Sequence, residues 1–70
     1  MGLYVVHLIQ AAYRQRPDKP PLKVLYNGDD RAAALDAVTA AHERPENTGL
    51  YVRFYDFHMF CGGMKDTAIT

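Results

Sequence analysis

The stretch that decides the fold is residues 22–56, which read LKVLYNGDDRAAALDAVTAAHERPENTGLYVRFYD. Its first segment, Leu22–Tyr26, is rich in residues that favour a β-strand. Asn27-Gly28 is expected to close that strand, because both residues tolerate a positive φ. A helical segment and another strand segment follow. A helix between two strands in a chain this short predicts a helix packed on one face of a sheet.

The helix is expected to begin after Asp29 or Asp30. Either carboxylate can accept hydrogen bonds from the free N–H groups of the first turn, and a negative charge suits that end of the helix dipole. Residues 31–37 are mostly strong helix formers, and Arg44-Pro45 predicts the end of the helix. The apolar positions form a narrow stripe with small neighbours, which indicates a close approach to the sheet. The stripe comprises Leu35, Val38 and His42, with Ala34 and Ala41 beside them.

Further strands are expected on both sides of this stretch. Leu3–Ile9 is apolar on both of its potential faces, and residues 50–55 alternate in period two. Phe57–Cys61, Gly62-Gly63 and the residues from Met64 onward resemble a hairpin, with a last strand at Lys65–Ile69. We expect one α+β domain over residues 1–70: a small antiparallel sheet of three to four strands with one helix packed on one face.

Tyrosine and arginine dominate one face of the strand at residues 50–55. The even-numbered residues are apolar and are expected to face the helix, so Tyr51, Arg53 and Tyr55 point the other way. Because the chain offers a single helix, we expect that second sheet face to be uncovered. Tyr and Arg are enriched at interface hot spots, since they combine a large contact area with a polar group. We therefore predict that these residues bind a partner, against the alternative of solvated strand positions.

Basic and acidic residues balance, with eight of each and a net charge of zero. This balance counts against a dedicated nucleic-acid binder, an anionic-membrane binder and an acidic mimic of DNA. The two halves differ, because residues 1–28 carry a net charge of +3 and residues 29–70 a net charge of −3. Arg14, Arg16 and Lys19 lie in a proline-rich loop. We predict that they steer the protein toward an acidic partner, with a merely solvated loop as the alternative.

The histidines and the single cysteine could in principle form a reactive or metal-binding site. His58 and Cys61 are three residues apart, and His7 and His42 could complete four zinc ligands. Such spacing on a strand points the two side chains to opposite faces, which opposes chelation. Cys61 beside two glycines could alternatively act as a nucleophile near an oxyanion site. We expect ordinary histidines and a small apolar thiol instead, with no cofactor, no metal and no catalysis.

The size, the neutral composition and the order of strands and helix resemble the small inhibitor proteins of phages and other mobile elements, notably the anti-CRISPR proteins. The resemblance rests on residues 22–56. It implies a non-catalytic inhibitor that occludes a surface of a CRISPR effector complex. No apolar run approaches the ~20 residues of a membrane span, and no leader is evident, so we expect a cytoplasmic location and no membrane partner. Self-association through the open face is a further option.

A second hypothesis belongs to another class of protein. A single-stranded nucleic acid could stack its bases on Tyr51 and Tyr55, while Arg53 and the loop arginines hold phosphates. The aromatic strand favours this hypothesis, and the zero net charge opposes it.

Overall fold

The computed structural model describes residues 2–58 and 63–70. The strands form one antiparallel sheet in the order β2-β1-β3-β4, and the helix packs on one of its faces. The predicted α+β class, with four strands and one helix, is confirmed. The elements are β1 (Tyr4–Ile9), β2 (Lys23–Gly28), α1 (Arg31–His42), β3 (Tyr51–Asp56) and β4 (Gly63–Ala68), with single 3₁₀ turns at Ala11–Tyr13 and Pro45–Asn47.

β1 lies inside the sheet, between β2 and β3, and its position explains why its sequence is apolar on both faces. Tyr4, Val6 and Leu8 are buried beneath the helix, and Ile9 is buried at the end of the strand. β2 and β3 both run antiparallel to β1, so α1 connects two strands of the same direction by passing over the strand between them. The core lies between α1 and the sheet, where Val52 of β3 and Ile69 join the buried residues of β1.

Helix α1 begins where the sequence predicts. The Asp30 carboxylate accepts hydrogen bonds from the N–H groups of Ala32 and Ala33 at 3.0 and 3.3 Å. Of the predicted stripe, Ala34 and Ala41 are buried and Val38 packs against the core, whereas Leu35 is exposed. A helix that contacts the sheet through its alanines sits close to the strands, and this orientation turns the larger Leu35 side chain toward solvent.

Two predicted boundaries differ from the structure. Asn27 and Gly28 were expected to form a turn, but both pair with β1 and belong to β2. The N–H of Gly2 donates a hydrogen bond to Asn27 Oδ1 at 3.0 Å, which ties the start of the chain to this end of the strand. The last strand, predicted at Lys65–Ile69, runs from Gly63 to Ala68, so Gly63 of the predicted Gly62-Gly63 turn belongs to the strand, while Gly62 lies outside the described residues.

The two faces of β3 are the ones that the sequence predicts. Val52 is buried in the core, and Leu50 and Phe54 pack against the same cluster as the helix alanines. The odd-numbered residues of the strand therefore lie on the opposite face. Neither range of described residues contains a helix that is long and apolar enough to cross a membrane.

Asp30→Ala tests the helix cap. The substitution removes the acceptor for two backbone N–H groups, so we expect the free energy of unfolding to fall by ~1 kcal/mol. Urea denaturation measures this loss. Asp30→Asn keeps an acceptor oxygen and should lose much less. An equal loss in both variants would show that the charge, and not the hydrogen bonds, provides the stabilisation.

Candidate functional site

A band of mostly apolar side chains crosses all four strands on the face opposite the helix. In the sheet register Val24 pairs with His7, and Met64 pairs with Tyr55. Val24, Phe57 and Met64 are all large hydrophobic residues with substantial exposure, and Phe57 is 52% exposed. We call the following residues the aromatic band: His7, Val24, Tyr55, Phe57 and Met64.

Ring contacts hold the centre of the aromatic band. The rings of Tyr55 and Phe57 stack with centroids 5.4 Å apart and an interplanar angle of 11°. The His7 ring meets Tyr55 edge-on at 5.2 Å. Because period two places residues 55 and 57 on one face, the stack follows directly from the strand geometry. The result is a preformed surface that offers contact area with little side-chain freedom to lose.

His7 does not add charge to the aromatic band at neutral pH. Partial burial lowers the pKa of His7 below its usual value, and the nearby positive charge of Arg53 lowers it further. The imidazole is therefore mainly neutral at pH 7, and it contributes ring surface and one polar nitrogen pair. The band as a whole is suited to apolar contact.

The connection between β1 and β2, residues 10–22, covers the other end of the same face. We call this segment the strap. Arg14 lies over the ring of Tyr51, with 6.0 Å from its Cζ to the ring centroid. Arg14 and Arg16 are exposed, and Lys19 is half-buried. The strap therefore places exposed basic residues on the same face of the sheet as the aromatic band, with Arg14 at the Tyr51 end of β3.

Arg53 fastens the strap to the sheet. Its Nε and one terminal nitrogen donate to the two carboxylate oxygens of Asp66 at 2.8 and 2.9 Å. The same terminal nitrogen donates to the backbone carbonyl of Tyr13 at 3.0 Å. The N–H of Gln15, a residue with a φ of 59°, donates to the second oxygen of Asp66 at 2.6 Å. One buried ion pair thus holds the backbone of the strap in place.

The expectation that Arg53 lies on an uncovered surface is wrong. Arg53 is only 1% exposed, and the Asp66 side chain is 5% exposed. Arg53 lies on the face opposite the helix, as predicted, but the strap covers that face at Arg53. A buried guanidinium needs a carboxylate and further acceptors to offset its lost hydration, and Asp66 with the strap carbonyls provides them. Arg53 is therefore a positioning residue for this surface.

The pKa values of Arg53 and Asp66 both shift in the direction that favours the charged form of each group. Burial by itself raises the pKa of Asp66, but hydrogen bonds from Arg53 and Gln15, with the charge of Arg53, hold it below its usual value. The hydrogen bond to Asp66 raises the pKa of Arg53 above its usual value. The pair therefore stays ionised across the neutral range.

The residues that form this surface differ from those that the sequence predicts. Tyr55 lies in the aromatic band, while Tyr51 is half-buried beneath Arg14. Sequence reasoning missed His7, Val24, Phe57 and Met64 as parts of this surface. Phe57 could have been found, because it continues the odd-numbered alternation of β3 by one step. The sequence leaves open which strands pair, and that pairing decides whether His7, Val24 and Met64 belong to this surface.

The histidines do not converge. His7 lies in the aromatic band, whereas His42 Nε2 lies 2.8 Å from Thr67 Oγ1 on the helix side of the sheet. The sheet separates them, so they cannot share one ion. Among residues 2–58 and 63–70, no three His, Cys, Asp or Glu side chains are grouped for metal binding. Cys61 lies outside the described residues, so its expected role as a small apolar thiol stays a prediction.

Comparison of the chain with protein-family models, with curated proteins and with solved structures finds no match.

Arg53→Met should destabilise the protein strongly. Removing one partner of a buried ion pair leaves the other uncompensated, and we expect the free energy of unfolding to fall by about 3–5 kcal/mol. The exposed Arg16→Met, a matched control, should change it by less than ~0.5 kcal/mol. The double variant Arg53→Met, Asp66→Leu should recover at least half of the loss, because neither charge remains. No recovery in the double variant would contradict this account.

Acid should weaken the ion pair between Arg53 and Asp66. The pKa of Asp66 is lower in the folded than in the unfolded state, so its contribution is complete above the unfolded value and is lost as the pH falls below about 4. We expect the free energy of unfolding to drop more between pH 7 and acid in the natural chain than in the double variant. Equal losses in urea denaturation would show that other carboxylates dominate.

Proposed function

We propose that this chain is a non-catalytic protein-binding module whose contact surface is the aromatic band with the adjoining strap. The observation that carries the proposal is the aromatic band across the four strands, in which Val24, Phe57 and Met64 are exposed around the half-buried His7 and Tyr55. An exposed apolar surface of this kind marks an interaction site more often than a neutral part of the surface. Its aromatic members are of the type enriched at hot spots.

Charge supports an acidic partner. On the strap, Arg14 and Arg16 project as exposed cations, and Lys19 adds a third against the single acid Asp18. Arg53 and Asp66 neutralise each other, so they do not alter this excess. Complementary charge would accelerate association and orient the partner, while the aromatic band would supply most of the contact area.

A protein partner fits the surface better than a single-stranded nucleic acid. Base stacking needs open ring faces, yet Tyr55 already stacks on Phe57 and Tyr51 lies under Arg14. Arg53, which the nucleic-acid hypothesis assigns to phosphate, is buried against Asp66. The remaining cations are few for the counterion release that drives such binding.

The resemblance to small mobile-element inhibitors suggests one specific version of this function. In that version the chain acts in the cytoplasm of a host cell and occludes a surface of a CRISPR effector complex by binding a protein subunit. The neutral overall charge favours direct binding of a protein over imitation of DNA. The measurement is phage plating on a CRISPR-immune host that expresses the chain. Restored plating supports this version, and unchanged immunity removes it while leaving the general binding proposal open to the next test.

Site-specific crosslinking tests the general proposal. A photo-crosslinking amino acid replaces the exposed Phe57 in one variant and the exposed Asp36, on the outer side of α1, in a matched control. We expect defined covalent adducts with a protein from the source cells at position 57 and none at position 36. Equal labelling at both positions, or adducts with nucleic acid alone, would contradict the proposal.

Affinity measurements with the captured protein then distinguish the contribution of the aromatic band from that of the basic residues of the strap. Phe57→Ala and Tyr55→Ala should each weaken binding by ~10-fold or more, the effect of a hot-spot residue. Leu35→Ala, at an exposed position on the helix, should leave affinity unchanged. Arg14→Glu with Arg16→Glu should slow association and reduce its dependence on salt. Losses below ~2-fold for both aromatic variants would exclude the aromatic band as the contact surface.

A further inference from the structure

A cleft opens on the helix side of the sheet, at its β2 edge. Its volume is about 330 Å³, and it lies between β2 and the C-terminal half of α1. The cleft exists because α1 presents the small residues Ala37 and Ala40 toward β2, so the helix does not fill the space above Leu8 and Leu25. This volume is at the lower end of the ~300–1,000 Å³ of ordinary ligand sites, and its floor is apolar.

β2, the strand beside the cleft, can pair with another extended chain on its outer side. β2 is an edge of the sheet, and none of the described residues forms a strand on its outer side. The register with β1 shifts at Leu25: Val6 pairs with Tyr26, and His7 pairs with Val24. Leu25 is therefore the extra residue of a bulge, and its side chain lines the cleft. An edge strand offers unpaired N–H and C=O groups to another extended chain.

The charged groups at the rim specify the occupant further. Lys23 lies at one wall of the cleft and Arg44 at the other. Glu46 is held by Arg44 at 3.0 Å, so its charge is already balanced. Lys23 has no carboxylate partner within residues 2–58 and 63–70. The rim therefore has an excess positive charge above an apolar floor.

We propose that an extended, acidic peptide segment of a partner protein adds to the outer edge of β2 and inserts one apolar side chain into the cleft. Main-chain hydrogen bonds to the edge strand would provide affinity, and the cleft would select the side chain. A carboxylate two residues further along the peptide lies on the same face and reaches Lys23. This site is separate from the aromatic band, since the sheet lies between them.

Titration of the ¹⁵N-labelled full chain with a synthetic peptide tests the proposal. The probe is the acetylated and amidated hexapeptide Thr-Val-Leu-Thr-Glu-Thr, in which Leu and Glu share a face. We expect saturable shifts in the amide signals of β2 and of residues 37–41. The same peptide with Lys in place of Glu should bind at least ~5-fold more weakly, and N-methylation at alternate residues should abolish binding, because it removes strand donors.

Variants of the chain locate the site. Ala40→Leu fills the cleft from an exposed helix position and should abolish the shifts, whereas Ala32→Leu, an exposed position at the other end of α1, should preserve them. Phe57→Ala should also preserve them, so failure of the aromatic band as an interface would be recognised separately. Absence of saturable shifts up to ~5 mM peptide, or shifts confined to the aromatic band, overturns the proposal. Dimerisation of the chain through β2, detected as concentration-dependent shifts without peptide, would assign the edge to a second copy instead.

Discussion

The buried ion pair between Arg53 and Asp66 is the interaction on which the surface of this protein depends. It joins neighbouring strands β3 and β4 and also binds the backbone of the strap at Tyr13 and Gln15. Such a pair must offset a large loss of hydration, and here every buried side-chain polar atom among the described residues has a hydrogen-bond partner. The contacts of the pair set where the strap lies.

The position of the strap divides the face opposite the helix into two parts. Under the strap the sheet is closed, and Arg53 is inaccessible although it lies on the predicted face. Beyond the strap lies the aromatic band, in which Val24, Phe57 and Met64 are exposed and the half-buried Tyr55 is at the centre. The basic residues of the strap lie on the same face of the sheet, with Arg14 at the Tyr51 end of β3. A single structural contact thus determines both the extent of the apolar surface and the charge at its rim.

The helix side follows a different constraint, the small volume of the alanines on α1. Ala34 and Ala41 allow a close approach to β1, which suits a domain that has few residues with which to build a core. The same small side chains leave the cleft between the C-terminal half of α1 and β2. Close packing at the centre and a gap at the edge therefore have one cause.

By itself, the sequence determined the order of the strands and the helix and the two faces of β3. The Asp30 cap, the helix-forming run after it and the alternation in β3 are local signals, and local signals can be interpreted without knowing the partners in space. Only the tertiary structure decided that Arg53 is buried, since its partners lie 13 residues away at Asp66 and 40 residues away at Tyr13. It also decided that Leu35 is exposed. Such contacts depend on strand pairing and on the path of a loop, and period two specifies a face without specifying what covers it.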